Sequence, residues 1–181
     1  MKESAQLYKS SDRFESRDDA FKRFSVFNFE EHQDDMHRPF GSLIAFNDET
    51  LGAKQKVFRH VERNVEIIII PLVGALVYTD SLGNEDIIET QHIRIFSANE
   101  GMTYTLENPY PEDLVNYLQI WIVPSEGQPG SSQMKFAYRG KNNLFPIFST
   151  GKNDAALQIR QNSNGFLGIF DDREVGSHTL E

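Results

Sequence analysis

The chain has 181 residues, 39% of them apolar and 25% charged, which suffices for a hydrophobic core and argues against a disordered or fibrous protein. Its 27 acidic against 18 basic side chains leave a formal charge of -9, which disfavours a surface built to neutralise nucleic-acid phosphate or anionic lipid. With no cysteine, disulfides, thiolate zinc sites and a cysteine nucleophile are excluded, and a transition metal would need imidazole, carboxylate or phenolate ligands; the histidines are His32, His37, His60, His92 and His178.

Residues 1–23 are charged and rich in Ser, Asp and Arg, and read as a mobile or loosely docked arm without the apolar region of a secretory signal. From Phe24 the texture changes to short apolar runs separated by turn residues. Strands are expected at Phe24–Phe29, Ser42–Phe46, Val57–Val61, Glu66–Tyr78, Asp86–Ile88, His92–Phe96, Met102–Leu106 and Leu114–Val123. Asp80-Ser81-Leu82-Gly83-Asn84 and Asn99-Glu100-Gly101 read as hairpin turns, and Asn108-Pro109-Tyr110-Pro111-Glu112 as a longer connection. The run Ile67–Val73 is the longest apolar stretch, far too short to span a membrane, so a soluble cytoplasmic protein is expected. Pro71 inside it removes a ladder donor and predicts a bulge or a strand edge. Leu114 to Val123 is apolar on both alternating faces, as a central buried strand would be.

Beyond Pro124, residues 125–132 lack apolar side chains and read as a linker. A second β-like section at 133–181 follows, with strands expected at Phe136–Tyr138, Leu157–Arg160, Phe166–Phe170 and Ser177–Leu180. So few short strands cannot enclose a core alone, and they are expected to pack on the first domain or on another chain.

Glu66, the apolar strand closing on Gly74, and the hairpin Asp80-Ser81-Leu82-Gly83-Asn84 are similar to the pirin family of bicupins, whose corresponding stretch begins His-Pro-His-Arg-Gly-Phe-Glu. Phe40-Gly41, Asn47-Asp48-Glu49, His60, Arg63, Ser97-Ala98, Gly101, Asn108-Pro109 and Leu118-Gln119-Ile120-Trp121-Ile122 agree in the same register. The resemblance implies an all-β fold with one complete cupin (jelly-roll) barrel at about 24–124 and a partial cupin-like segment at 133–181. It also implies a metal, usually iron, held inside the first barrel by three histidines and a glutamate. Some members of the family act as quercetin 2,3-dioxygenases, and others are partners of transcription factors.

Carried across, those ligands fall on His60, Glu62, Tyr104 and Leu106. Only His60 is unchanged; Leu106 cannot ligate, and Tyr104 would do so only as phenolate, against an ordinary pKa of about 10. His60 and Glu62, two apart on a strand, are expected to face the barrel interior together. Two readings stay open there. In one, His60, Glu62 and Tyr104 hold a divalent transition metal such as iron. In the other, the cluster is metal-free, with Tyr104 donating to Glu62, His60 completing the network and Leu106 filling the vacated space. Glu107 joins as a ligand only if a bulge turns it inward.

Arg63 either reaches a ligand at the barrel mouth or pairs with Glu66. His92 and Arg94 share a strand face that reads as solvated. His32 and His37, beside Glu30, Glu31, Asp34 and Asp35, match no ligand motif and read as a solvated acidic loop. No nucleophile elbow, phosphate loop or dinucleotide fingerprint is present. The sequence thus leads to a non-catalytic protein that binds a small ligand or a protein partner, without resident cofactor, nucleic acid or membrane, and with homodimerisation through exposed strand edges left open. The alternative is a metal-dependent dioxygenase of the quercetinase type, with His60 and Glu62 as ligands and Tyr104 as third ligand or proton donor.

Overall fold

The computed structural model describes residues 7–62, 64–125, 131–135, 141–150, 156–171 and 173–177. Its strands are β1 (Phe14–Arg17), β2 (Phe21–Ser25), β3 (Leu43–Leu51), β4 (Lys56–Val61), β5 (Glu66–Val73), β6 (Ala75–Asp80), β7 (Glu85–Glu89), β8 (His92–Ser97), β9 (Met102–Glu107), β10 (Val115–Ile122), β11 (Ser131–Lys135), β12 (Phe145–Ser149), β13 (Leu157–Gln158) and β14 (Asn164–Leu167). They form a seven-stranded sheet in the order β1-β2-β3-β10-β5-β8-β11, a four-stranded sheet β4-β9-β6-β7 and a three-stranded sheet β13-β12-β14. The first two face each other as the expected all-β barrel. No helix among the described residues is long and apolar enough to cross a membrane.

Alternation positions the core. Ile67 and Ile69 of β5 point between the two large sheets, where they meet Leu76, Tyr78, Phe96, Tyr104, Leu106 and Tyr117. Ile68 and Ile70 point the other way and, with Ile93, Ile95, Ile120 and Ile122, pack against Ile147, Phe148, Leu157 and Ile159 of the C-terminal segment. That segment therefore covers the outer face of the large sheet, one of its two expected destinations. Its docking is reinforced where Arg160 donates from its backbone N–H and its Nε to Glu66, at 2.9 and 3.2 Å.

Strand β10 is central, paired with β3 on one side and β5 on the other. The bulge predicted at Pro71 is present: Asn116 opposes Val73 while Tyr117 opposes Pro71, and β8 pairs with β5 only as far as Ile69, so Pro71 also lies on a free edge. The Asp80–Asn84 hairpin forms between β6 and β7, with the Asp80 carboxylate accepting from the backbone N–H groups of Leu82 and Asn84 and Gly83 at φ +86.

Four expectations are corrected. The arm is not loosely docked from Phe14 onward, since β1 and β2 extend the large sheet beyond β3 and bury Arg23. Asn99–Gly101 is a turn but not a hairpin, because β8 and β9 belong to different sheets and the turn carries the chain between them. Residues 131 and 132, expected in the linker, already belong to β11, which pairs with β8. Strand β12 was not expected at all. The strand expected at 136–138 lies outside the described residues, as do residues 178–180 and His178.

A buried polar cluster and the barrel mouth

Strand β4 exposes Lys56, Phe58 and His60 and buries Val57, Arg59 and Val61. Its pairing with β9 sets Arg59 opposite Tyr104 and His60 opposite Thr103, so Arg59 shares the interior face with Tyr104 while His60 points away. The side chains of His60 and Glu62 are 60% and 83% exposed, with 3.9 Å between Nδ1 and Oε1. Tyr104 is 1% exposed. The expected trio is therefore not assembled: His60 and Glu62 stand at the rim of the barrel and Tyr104 lies inside it. Arg63 lies outside the described residues, and Glu66, its expected partner, is taken by Arg160. The β9 ladder runs in unbroken register to Glu107, which therefore keeps the face opposite Tyr104.

The interior polar residues are others. Glu49 of β3, fully buried, accepts from Arg59 Nη2 at 3.2 Å, from the Tyr117 hydroxyl at 2.5 Å and from Gln119 Nε2 at 3.0 Å. The Tyr104 hydroxyl donates to Gln119 Oε1, so the polar cluster exists but its carboxylate is Glu49, not Glu62. Leu106 is fully buried in the apolar core, as expected of a space-filling residue. Arg59 also reaches Glu30 with Nη1 at 3.0 Å, and Arg23 meets the same carboxylate at 2.5 Å. Glu30 does this from a loop position at φ +51.

Burial pushes the Tyr104 phenol far up, and Glu49 adds to the shift against the opposing pull of Arg59. Burial likewise raises Tyr117, with Glu49 next to it adding to the shift. Both phenols therefore stay protonated and serve as donors. Burial opposes the charge on Arg59, but Glu49 together with Tyr104, Tyr117 and Glu30 outweighs it and holds the guanidinium protonated.

Above this cluster opens a cavity of about 370 Å³ whose walls include Phe29, Ile44, Val61 and Trp121, with Glu30, Arg59, His60 and Glu62 as its charged or titratable groups among the described residues. Phe29 and Trp121 meet edge to face at 5.0 Å between ring centroids. Two further expectations change. Arg94 is buried, 2.7 Å from Asp86 and stacked 4.3 Å over the Tyr78 ring, and His92 is half-buried, because the face carrying Ile93 and Ile95 turns outward under the C-terminal sheet. His32 and His37, expected in a solvated loop, converge on Asp34.

Tyr117 and Gln119 had a sequence signal, polar groups alternating with Leu118 and Ile120; Asn47 and Glu49 had none, because Asp48 and Thr50 on the other face of β3 are equally polar. Arg59 had none, because its neighbour His60 is equally polar.

The implied interior metal does not fit these residues. Of the four positions, two project from the rim, one is a hydrocarbon and one is a phenol held protonated, while the guanidinium of Arg59 lies opposite Tyr104 on the interior face.

The Pirin family model matches residues 8–122. A quercetin 2,3-dioxygenase of Escherichia coli strain K12 is 27% identical over 158 residues, spanning 86% of this chain and 67% of the relative. The bacterial pirin YhhW from Escherichia coli, solved in complex with nickel(II), superposes with a TM-score of 0.78 at 25% identity, over 88% of this chain and 69% of its own. The protein YhaK from Escherichia coli shares the fold at a TM-score of 0.62 and 24% identity, over 77% of this chain and 61% of its own. The chain thus spans about two thirds of the length of these relatives. With the barrel, the turn at Asp80–Asn84 and a family match covering most of the sequence, the chain belongs to the pirin family.

Proposed function

We propose that this chain is a pirin-family barrel that binds a small, ring-bearing molecule at its mouth and does not oxidise one at an internal metal. The observation that carries the reading is the Arg59–Glu49 ion pair on the interior face, with Tyr104, Tyr117 and Gln119 bonded into it and His60 and Glu62 left outside. A cavity of about 370 Å³ falls in the range of small-molecule sites. Phe29 and Trp121 supply an aromatic wall.

The second reading, a metal-dependent dioxygenase, is favoured by the name of the Escherichia coli relative and by the nickel complex of YhhW. One pair of assays on the whole chain separates the two, using quercetin as probe. Trp121 is the single tryptophan, so its fluorescence reports the cavity directly. Saturable quenching that is lost when Ala45→Leu fills the wall, without oxygen uptake above a free-metal control, is the expected result. Oxygen uptake abolished by His60→Ala would establish the enzyme instead, and no quenching at all would overturn the binding reading for this class of ligand.

A further inference from the structure

Among the described residues, one group of three histidine and carboxylate side chains brings its ligand atoms within 4.8 Å of one another: His32, Asp34 and His37. It lies in the loop between β2 and β3, on the outside of the barrel. Asp34 Oδ2 is 3.1 Å from His32 Nε2 and 2.8 Å from His37 Nδ1, so one carboxylate oxygen faces both imidazoles. The other oxygen, Oδ1, accepts from the backbone N–H groups of Met36 and His37 at 2.9 and 2.8 Å, which fixes the carboxylate plane, and it lies as close to His37 Nδ1 as Oδ2 does, at 2.8 Å. His37 Nε2 lies 2.8 Å from the Asp12 carbonyl oxygen. A carbonyl only accepts, so Nε2 carries the proton, and in neutral imidazole Nδ1 then turns a lone pair toward Asp34. Lone pairs facing each other at this distance are held together either by a second proton, which makes His37 an imidazolium donating to both partners, or by a metal ion that displaces that proton.

We propose that His32 Nε2, Asp34 Oδ2 and His37 Nδ1 form a site for one divalent first-row transition ion, separate from the barrel interior and independent of the function proposed above. Two nitrogens and one oxygen are a donor set for Zn²⁺, Ni²⁺ or Fe²⁺. Ligand bonds of about 2.0–2.2 Å at tetrahedral angles place neighbouring donors about 3.3–3.5 Å apart, so the two Asp34–imidazole spacings need to open by about 0.2–0.7 Å, and all three donors already lie within 4.8 Å of one another. The outer contacts are those of a supported site: the Asp12 carbonyl on His37, two backbone amides on Asp34, and the Phe14 ring stacked on His32 at 3.5 Å and 12°. Asn28 clamps the loop through Asp34, accepting from its N–H at 3.0 Å and donating to its carbonyl at 2.7 Å. The same loop supplies Phe29 and Glu30 to the barrel mouth. An ion here ties β1, through Phe14, and the turn before it, through Asp12, to the wall of that cavity.

The test is equilibrium dialysis of the chelator-stripped chain against Zn²⁺ and, separately, Ni²⁺, with elemental analysis of the protein. One ion per chain is expected for the wild type and for His92→Ala, with affinity lowered at least 10–100-fold in His32→Ala and Asp34→Asn. Zinc added to the wild type is expected to shift the ring ¹⁵N resonances of His32 and His37 and leave those of His92 in place, a readout that needs no variant to fold. Failure of the wild type to take up a stoichiometric ion overturns the proposal. So does an ion that survives both substitutions, or one that is lost with His60→Ala.

Discussion

Replacing Glu49 by Gln tests the buried cluster most directly, because it removes the charge while keeping nearly the same shape and one acceptor oxygen. The carboxylate is fully buried and takes Arg59, Tyr117 and Gln119 as donors within 3.2 Å. After the substitution Arg59, with 8% of its side chain exposed, keeps Glu30 as its one carboxylate partner among the described residues, and that side chain is itself 37% exposed. Removing one partner of a buried pair costs about 3–5 kcal/mol; the remaining Glu30 contact points to about 3 kcal/mol here. That is a large part of the 5–15 kcal/mol typical of a whole domain. Arg59→Met leaves the carboxylate with Tyr117 and Gln119 as neutral donors and should cost a similar amount. The double variant, with neither charge present, should cost less than the sum of the two, the coupling falling at about 1–3 kcal/mol. Urea unfolding midpoints at unchanged slope measure all three. A Glu49→Gln cost below about 0.5 kcal/mol, the size of an ordinary surface change, would refute the cluster as a stabilising unit. Additivity of the two single substitutions within the same margin would refute the pairing.

Gly74 sits at φ +81 between β5 and β6, and a methyl group there would lie 2.9 Å from Val115 Cγ2 and 3.1 Å from Tyr110 Cε2. Gly74→Ala should therefore destabilise by more than about 1 kcal/mol in urea unfolding, and a neutral result would mean that the turn relaxes. The Asp34 carboxyl is held down to about 2, first by its hydrogen bond with the His37 side chain, and His37 is raised by the Asp12 carbonyl and then by Asp34. A lowered acid contributes fully above its unfolded value near 3.9 and loses that contribution as pH falls through about 2. A raised histidine contributes fully below about 6.5 and loses it as pH rises through its folded value. The pair in the metal-free chain should accordingly stabilise fully from about pH 4 to 6.5 and less on either side. An NMR titration should place the His37 midpoint above 6.5 and lower it in Asp34→Asn; an unmoved midpoint would contradict the contact.

Much of the barrel was legible in the sequence because strand signals are local. Apolar runs between turn residues marked the strands from β3 to β10, although β5 and β6 read as one run from Glu66 to Tyr78 and β3 extends past Phe46 to Leu51; the carboxylate of Asp80 and Gly83 specified a tight turn, and the missing N–H of Pro71 called for a bulge or an edge, which the register shift beside Asn116 and Tyr117 supplies. The unfitness of Leu106 as a ligand was equally plain, since a hydrocarbon ligates nothing in any fold. Short segments that depend on distant partners were not legible. Strands β1 and β2 look like a charged arm until β3 offers its edge, and β12, carrying Pro146, becomes a strand only between β13 and β14.

The direction in which each side chain points was the decision left to the tertiary structure. In Lys56-Val57-Phe58-Arg59-His60-Val61 both alternating sets hold apolar and polar residues, so periodicity does not choose between the Arg59 face and the His60 face. The pairing with β9 chooses, by setting Arg59 against Tyr104 and sending His60 to the rim. In His92-Ile93-Arg94-Ile95 the isoleucines seemed to mark the barrel interior. They turn outward because the C-terminal sheet covers them, which leaves Arg94 inside with Asp86 and Tyr78. Alternation along a strand is written in the chain; which side faces the core depends on what packs there, and residues far away in sequence supply that.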